Sequence, residues 1–340
     1  MLTRRDRVWQ RRSRALLIVL ALILVGLRVP PAAGTDLVAF KVGISDRVNT
    51  VLPLWMAEAG GFYGAQGLKI ELVTMGGGSR GAQELQAGRI DVMRVGLSSV
   101  VQANSAGGDL RAIASMSNVI RFTFFSASGV ETAADLKGGV VGVSTFGSES
   151  DSTVTLALRR LGMTRDNVTL KEYGSAVRRL AALKSGEIKA SAINEPVASQ
   201  ARNEGVNVMV DLVAEQIPWV FSSVVVRRDD LMSRRDLVTR FLKAAIEGNY
   251  LAFSDEKLAK DVLARELKVT DRKIVDISYD DFRKQSPLDM ELSRPGAENV
   301  IAELPGGTRT GLEDSIDPSI LEDLKRQDFF TALRRKYAIR

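Results

Sequence analysis

The chain has 340 residues, 45% of them apolar and 26% charged, the composition of a folded globular protein with room for two ordinary lobes or domains. Its formal charge of +6 belongs to the leader. Residues 1–34 hold seven arginines and one acid, and removing them from 47 basic and 41 acidic residues leaves 40 of each, so charge offers no argument for nucleic-acid binding. The sequence contains no cysteine and no histidine, which excludes disulfides, a lipid-modified cysteine, thiolate chemistry, the usual hydrolase triads and zinc sites; neither metal nor cofactor is expected.

Basic residues come first, followed by the apolar run ALLIVLALILVGL (15–27) and the small residues AAG (32–34). That order predicts a secretory signal over residues 1–34, with Ala32 and Gly34 as the small residues before a cut at Thr35. The run is shorter than the roughly 20 residues of a membrane-spanning helix. Arg28 fits a cleaved signal poorly and leaves an uncleaved anchor open. Thr3-Arg4-Arg5 matches a twin-arginine signal only in part, since Val8 and Trp9 do not suit it.

From residue 36 the pattern predicts strand 36–44, helix 52–59 stopped by Gly60-Gly61, strand 68–75, helix 79–87 ending at Gly88, strand 91–96, helix 98–106, and strands 110–116 and 120–126. Thr132 with Asp135 reads as a helix-start cap. Strand 139–144, helix 149–161, strand 168–173, helix 175–185, strand 190–194, helix 196–204, and strands 206–212 and 219–227 follow. Such alternation predicts an α/β protein with a mainly parallel sheet. Helices then dominate, at 235–253, 255–266, 271–284 and 318–337, with a Gly- and Pro-rich loop within 294–311. No linker precedes them, so they are expected to pad one lobe.

A short phrase occurs twice, 98 positions apart: LQAGRIDV (85–92) and LKSGEIKA (183–190). Each follows a helix-like stretch and enters an apolar strand, and Gly76 and Gly174 fall at the same offset upstream. Two similar strand–helix–strand units, one per half, predict a cleft between halves, where small molecules bind.

Three segments carry candidate chemistry. GGGSRG (76–81) satisfies G-x-G-x-x-G between a strand and a helix, but Asp91 is too near and Asp109 lies in a loop, so the acid of a dinucleotide site is missing. Either its backbone N–H groups approach an anion or polar ligand, or it is a tight turn with no ligand. STFGSESDS (144–152) crowds hydroxyls at a helix N-terminus; they either contact a ligand or merely cap the helix through Ser148 or Ser150, and Glu149 and Asp151 oppose an anion unless they point away. INEPVASQA (193–201) puts Asn194 and Glu195 at a strand end, with Pro196 starting a helix. Arg94, within a buried strand, must pair with an acid or project into the cleft. Trp55 reads as core or as a ligand platform, and Arg47, Arg80 and Arg121 as strand-end or surface charges.

The run 52–92 resembles the start of substrate-binding proteins of ABC importers for nitrate, sulfonate and taurine, a superfamily shared with thiamine-pyrimidine-precursor-binding proteins. Ala57, Gly61, Phe62, Gly67, Leu68, Gly78, Ser79, Leu85, Gly88 and Asp91 carry the resemblance, and 135–151 and 194–201 continue it. Lys189 departs from it where the first copy has Asp91, and Arg94 is unusual after the first phrase. The resemblance implies a two-lobed periplasmic-binding-protein fold of type II, with two crossover segments near 120–130 and 218–227 and extra C-terminal helices. Lobe one would be 36–126 plus 222–340 and lobe two 127–221. By position it places Asp46, Arg47, Asn49, Gly78, Ser79, Gly96, Ser98, Ser144, Ser148, Asn194 and Glu195 at the ligand.

The implied function is a monomeric, non-catalytic, periplasmic solute receptor. It would deliver a sulfonate, nitrate, taurine or aromatic-type small molecule to an ABC permease and its ATPase. The alternatives are an enzyme on the same fold (a pyrimidine-precursor synthase or small-acid lyase) and a ligand sensor for a membrane partner. The synthase branch relies on histidine, which this chain lacks.

Overall fold

The computed structural model describes residues 37–304 and 310–339; the predicted leader lies outside them. Among the described residues, ten strands form two five-stranded sheets, ordered β2-β1-β3-β10-β4 and β7-β6-β8-β5-β9. The first contains β1 (Val38–Ile44), β2 (Leu68–Thr74), β3 (Val92–Val95), β4 (Leu110–Val119) and β10 (Pro218–Arg227). The second contains β5 (Thr123–Ser126), β6 (Val140–Val143), β7 (Thr169–Glu172), β8 (Ala190–Ile193) and β9 (Asn207–Asp211).

Within each sheet the first three strands are parallel, as strand–helix–strand crossovers require. The fourth strand is the one by which the chain arrives from the other sheet. Both arriving strands, β5 and β10, run antiparallel to their neighbours, a detail the mainly parallel pattern did not anticipate. The chain passes between sheets at 120–122 and 212–217. Residues 123–126 therefore belong to the second sheet and 218–221 to the first, a few residues from the expected lobe boundaries.

The repeated phrase is a repeated structure. Helix Gly78–Gln86 leads into β3, and helix Ala176–Ser185 leads into β8. Gly76 and Gly174 have φ of 71° and 70°, and Gly88 and Gly186 have 71° and 74°, a left-handed backbone that side chains avoid. Ile90 and Ile188 are buried against the flat backbone of Gly43 and Gly142, where an added Cβ would lie 2.6 and 2.8 Å from their Cδ1 atoms. Thr132 and Asp135 form the expected capping box.

C-terminal helices cover one face of the first sheet, in a core that joins Phe40, Val42 and Ile44 to Phe241, Leu242, Tyr250 and Phe282, while Ala297 and Val300 of helix Arg294–Glu303 pack in the other core with Trp219 and Val220. Phe241 stacks on Phe40 at 5.4 Å and on Tyr63 at 5.8 Å. Arg294–Glu303 is a helix within the segment read as containing a loop, because Pro295 falls in its first turn and the Ser293 hydroxyl accepts from Gly296 N–H at 3.0 Å; the Gly- and Pro-rich stretch at 305–309 lies outside the described residues. One expectation fails here. The helix expected over 318–337 is two, Ser319–Arg326 and Phe329–Lys336, broken where Asp328 adopts φ 55°. No helix among the described residues is long and apolar enough to cross a membrane.

Gly248 sits inside the long helix Arg235–Ser254, where glycine costs about 1 kcal/mol relative to alanine. Close approach explains it: an added Cβ would overlap Pro53 O and lie 2.5 Å from Ala57 N on the neighbouring helix. Neither backbone atom can rotate away, and overpacking costs about 1–3 kcal/mol. Gly248→Ala is therefore expected to destabilise the protein despite its better helix propensity. Urea unfolding checks the sign, and a raised midpoint would contradict the packing argument.

Candidate functional site

The parallel strands of both sheets end on the same cleft. Ser45 and Asp46 follow β1, Gly76–Gly78 follow β2, and Arg94 to Gly96 close β3. From the other half, Ser144 follows β6, Gly174 follows β7 and Asn194 follows β8. These groups line one cavity of about 50 Å³, the position at which open α/β sheets bind ligands. Phe122, in the first crossover, and Phe221, on β10, also line it and meet edge to face at 5.1 Å.

Two arginines face this cavity from opposite halves. Arg94 is 4% exposed; its Nη1 donates to Ser45 Oγ at 3.0 Å and its Nη2 to Thr50 Oγ1, while Nε has no partner. Arg179, on helix Ala176–Ser185, is 2% exposed; it donates to the Gly174 carbonyl, and its Nε is likewise unpartnered. Neither makes an ion pair among the described residues. Burial lowers both pKa values to about 10, opposed for Arg94 by Asp46 and Glu149 and for Arg179 by Asp46. Both remain cations at neutral pH.

Opposite them, three hydroxyls form a triangle at the start of helix Glu149–Arg160. Ser144 Oγ lies 2.8 Å from Ser148 Oγ and 2.9 Å from Ser150 Oγ, and the last two are 3.0 Å apart. Ser148, the N-cap residue, makes no side-chain cap bond, so plain capping does not explain it. Asp151 turns away to Arg165, 2.6 Å distant. Glu149 does not turn away. It lines the cavity, accepting from Ser98 N–H at 2.7 Å and from the Trp219 indole N–H at 2.6 Å.

The rims of the cleft touch. Asp46 accepts from Ala176 N–H at 3.0 Å, and Ser79 Oγ donates to the Phe146 carbonyl at 2.6 Å. Glycines permit the approach: a Cβ on Gly77 would overlap Thr145, and one on Gly96 would overlap Glu149.

A family profile described as NMT1/THI5 like matches residues 49–258. The chain belongs to the NMT1/THI5-like family. A curated relative, the riboflavin-binding protein RibY of Chloroflexus aurantiacus, is 26% identical over 213 residues, which span 60% of this chain and 60% of RibY. Among solved structures, a Bordetella bronchiseptica RB50 protein has TM-score 0.76 at 18% identity, covering 85% of this chain and 97% of its own. The periplasmic aliphatic sulphonate-binding protein SsuA of Escherichia coli has TM-score 0.63 at 21% identity, covering 84% and 99%. The desulfurization enzyme DszB shares the fold too, with TM-score 0.58 at 19% identity over 85% and 99%. The chain thus has the two-lobed periplasmic-binding-protein fold.

In this NMT1/THI5-like protein, Asp46, Gly78, Gly96, Ser144, Ser148 and Asn194 of the expected residues line the cavity. The other five serve elsewhere. Arg47 pairs with Glu266 at 2.5 Å and lies over Trp55, which is buried and away from the cavity. Asn49 is buried, donating to the Ser278 carbonyl at 2.9 Å and Asp281 at 2.8 Å. Ser79 and Ser98 make the bridging bonds already described. Glu195 accepts from Ser199 N–H at 3.0 Å and pairs with Arg202 at 3.2 Å. Arg94 takes the second of its two courses and faces the cleft. Arg179 was not anticipated: it sits in a helix of the second half, and its counterpart 98 positions earlier is Gly81.

Burial pushes the Glu149 carboxyl up from its ordinary 4.5 to about 7, against the two N–H groups that favour its charge. A folded pKa above the unfolded one contributes stability that is complete below about 4.5 and lost as pH rises through about 7. The unfolding free energy should therefore fall by up to about 3 kcal/mol across that window. Glu149→Gln should remove that slope. Urea unfolding of both proteins at several pH values checks it, and parallel profiles would contradict it.

Proposed function

We propose that this protein is an extracytoplasmic, monomeric solute receptor that closes on a small anionic molecule and delivers it to an ABC permease driven by its ATPase. The observation that carries the reading is the pair Arg94 and Arg179: two buried guanidinium groups from opposite halves, each with a free Nε and no ion pair among the described residues. A carboxylate, sulfonate or similar group between them supplies the missing counter-charge, and the Ser144–Ser148–Ser150 hydroxyls add hydrogen bonds. An anion held by both halves favours the closed cleft over the open one, and that differential affinity drives closure. RibY and SsuA, named for the solutes they bind, support a binding role.

DszB keeps an enzyme on this fold in view, and Glu149, poised near neutrality inside the cavity, is the group such a reading would use. One experiment separates the two. The purified mature chain is screened by thermal shift against sulfonates, nitrate, taurine, aromatic acids and pyrimidines, with each hit assayed for chemical conversion. A ligand at 100 times its Kd should add about 2.7 kcal/mol of stability. Arg94→Ala and Arg179→Ala should each abolish the shift, and Ser144→Ala and Asn194→Ala should weaken it. A shift that survives both arginine variants overturns the anion site. Turnover of the bound molecule favours the enzyme.

A further inference from the structure

The cavity between Arg94 and Arg179 is the inner of two. Gly76, Ser144 and Gly174 line it and also line an outer chamber of about 800 Å³ at the cleft mouth. The inner chamber holds a few water-sized groups, about the bulk of one carboxylate or sulfonate. Any larger ligand anchored there extends outward past these shared residues.

The outer chamber carries its own pair of cations. Arg80 stands on helix Gly78–Gln86 of the first half and Arg178 on helix Ala176–Ser185 of the second. They are 98 positions apart, the offset of the internal repeat, so the same position in each half presents an arginine to the same space. Neither side chain has a hydrogen bond or ion pair among the described residues. The chamber's two acids hold uncharged donors rather than either arginine: Glu172 accepts from Phe146 N–H at 2.7 Å and Glu187 from the Tyr173 hydroxyl at 3.0 Å. Adjacent residues of one helical turn, Arg178 and Arg179, thus serve the outer and inner chambers respectively.

We propose that the ligand is an organic anion with two negatively charged ends, one seated between Arg94 and Arg179 and the other between Arg80 and Arg178. The proposal rests on the solute-receptor reading and narrows it. A compact inorganic anion such as nitrate would use only the inner pair. Each pair draws one arginine from each half, so a two-ended ligand ties the halves together at two depths, and closure depends on its length.

The test is isothermal titration of the purified mature chain with α,ω-dicarboxylates and ω-sulfocarboxylates of three to eight carbons, against alkanoates and alkanesulfonates of equal length. A dianion of one preferred length should bind at least about ten-fold tighter than its monoanionic counterpart, about 1.4 kcal/mol. Arg80→Ala and Arg178→Ala should each bring that dianion to the monoanion's affinity while leaving the monoanion's own Kd within about two-fold. Both residues are exposed, so unchanged melting temperatures are expected and serve as the folding control. Scoring the dianion-to-monoanion ratio removes any general weakening from lost surface charge.

Equal affinities in the wild type, a preference that survives both variants, or no binding by any dianion overturns the proposal. Monoanion binding that Arg94→Ala abolishes leaves the receptor reading standing when the two-ended ligand falls. Silence of every anion, here and in the thermal-shift screen, removes both.

Discussion

Two positive charges buried without ion-pair partners among the described residues set the terms for the rest of the cleft. Taking a guanidinium from water costs several kcal/mol unless its donors and its charge are met. Around Arg94 and Arg179 the surroundings meet only part of this: hydroxyls of Ser45 and Thr50 for one, the Gly174 carbonyl for the other, and an Nε left over on each. Asp46 offsets both charges from a distance, while its carboxylate also accepts from Ala176 N–H across the cleft. A single acidic side chain thereby links the electrostatics of the cavity to the contact between the halves.

That contact depends on what is missing from four positions. Gly77, Gly78, Gly96 and Gly147 each lie where a side chain would strike a neighbour lining or rimming the cleft: Thr145, Ser99, Glu149 and Gln102 respectively. Three of these collisions cross from one half to the other. The triple glycine at 76–78 therefore has two separate causes. Gly76 needs its positive φ, whereas Gly77 and Gly78 need space. The sequence offered two readings of that turn, backbone approach to an anion or polar ligand and a tight turn with no ligand; at Gly77 the close neighbour is Thr145 of the opposite half.

Much of the architecture was legible because it rests on local signals. Glycine after a helix, alternation of apolar strand and amphipathic helix, and the Thr132–Asp135 cap are each written within a few residues. Two features were missed: the capped helix start at Ser293-Arg294-Pro295 went unread, and nothing in the composition of 318–337 marks the break at Asp328. The antiparallel entry of β5 and β10 was beyond reach, since strand direction depends on which sheet a segment joins.

At the site, Asp46, Gly96, Ser144 and Asn194 line the cavity just beyond strands β1, β3, β6 and β8, because parallel strands present their carboxyl ends to the cleft. Arg47 and Asn49 were misplaced because Glu266 and Asp281, more than 200 positions away, draw them off. Arg179 was overlooked because a basic residue in a helix reads as a solvated charge, whereas its side chain folds back to the Gly174 carbonyl and is buried.

The internal repeat offers a physical division of labour between symmetric and asymmetric positions. Gly76 with Gly174, Gly88 with Gly186 and Ile90 with Ile188 repeat because each half must make the same turns and pack the same helix on the same three strands. The two arginines of the inner chamber stand where the halves differ: Arg94 aligns with Ala192, and Arg179 with Gly81. At Gly81 the end of the Met93 side chain occupies the space a Cβ would need. Asp91 and Lys189 diverge for a different reason, each tying its own half: the acid accepts from Lys41 N–H, and the lysine donates to the Asp135 carbonyl. Arg80 and Arg178 are the exception, a repeated, exposed pair whose side chains make no hydrogen bond or ion pair among the described residues. Symmetry there has no structural work to explain it, which is the physical ground for assigning the outer chamber to the ligand.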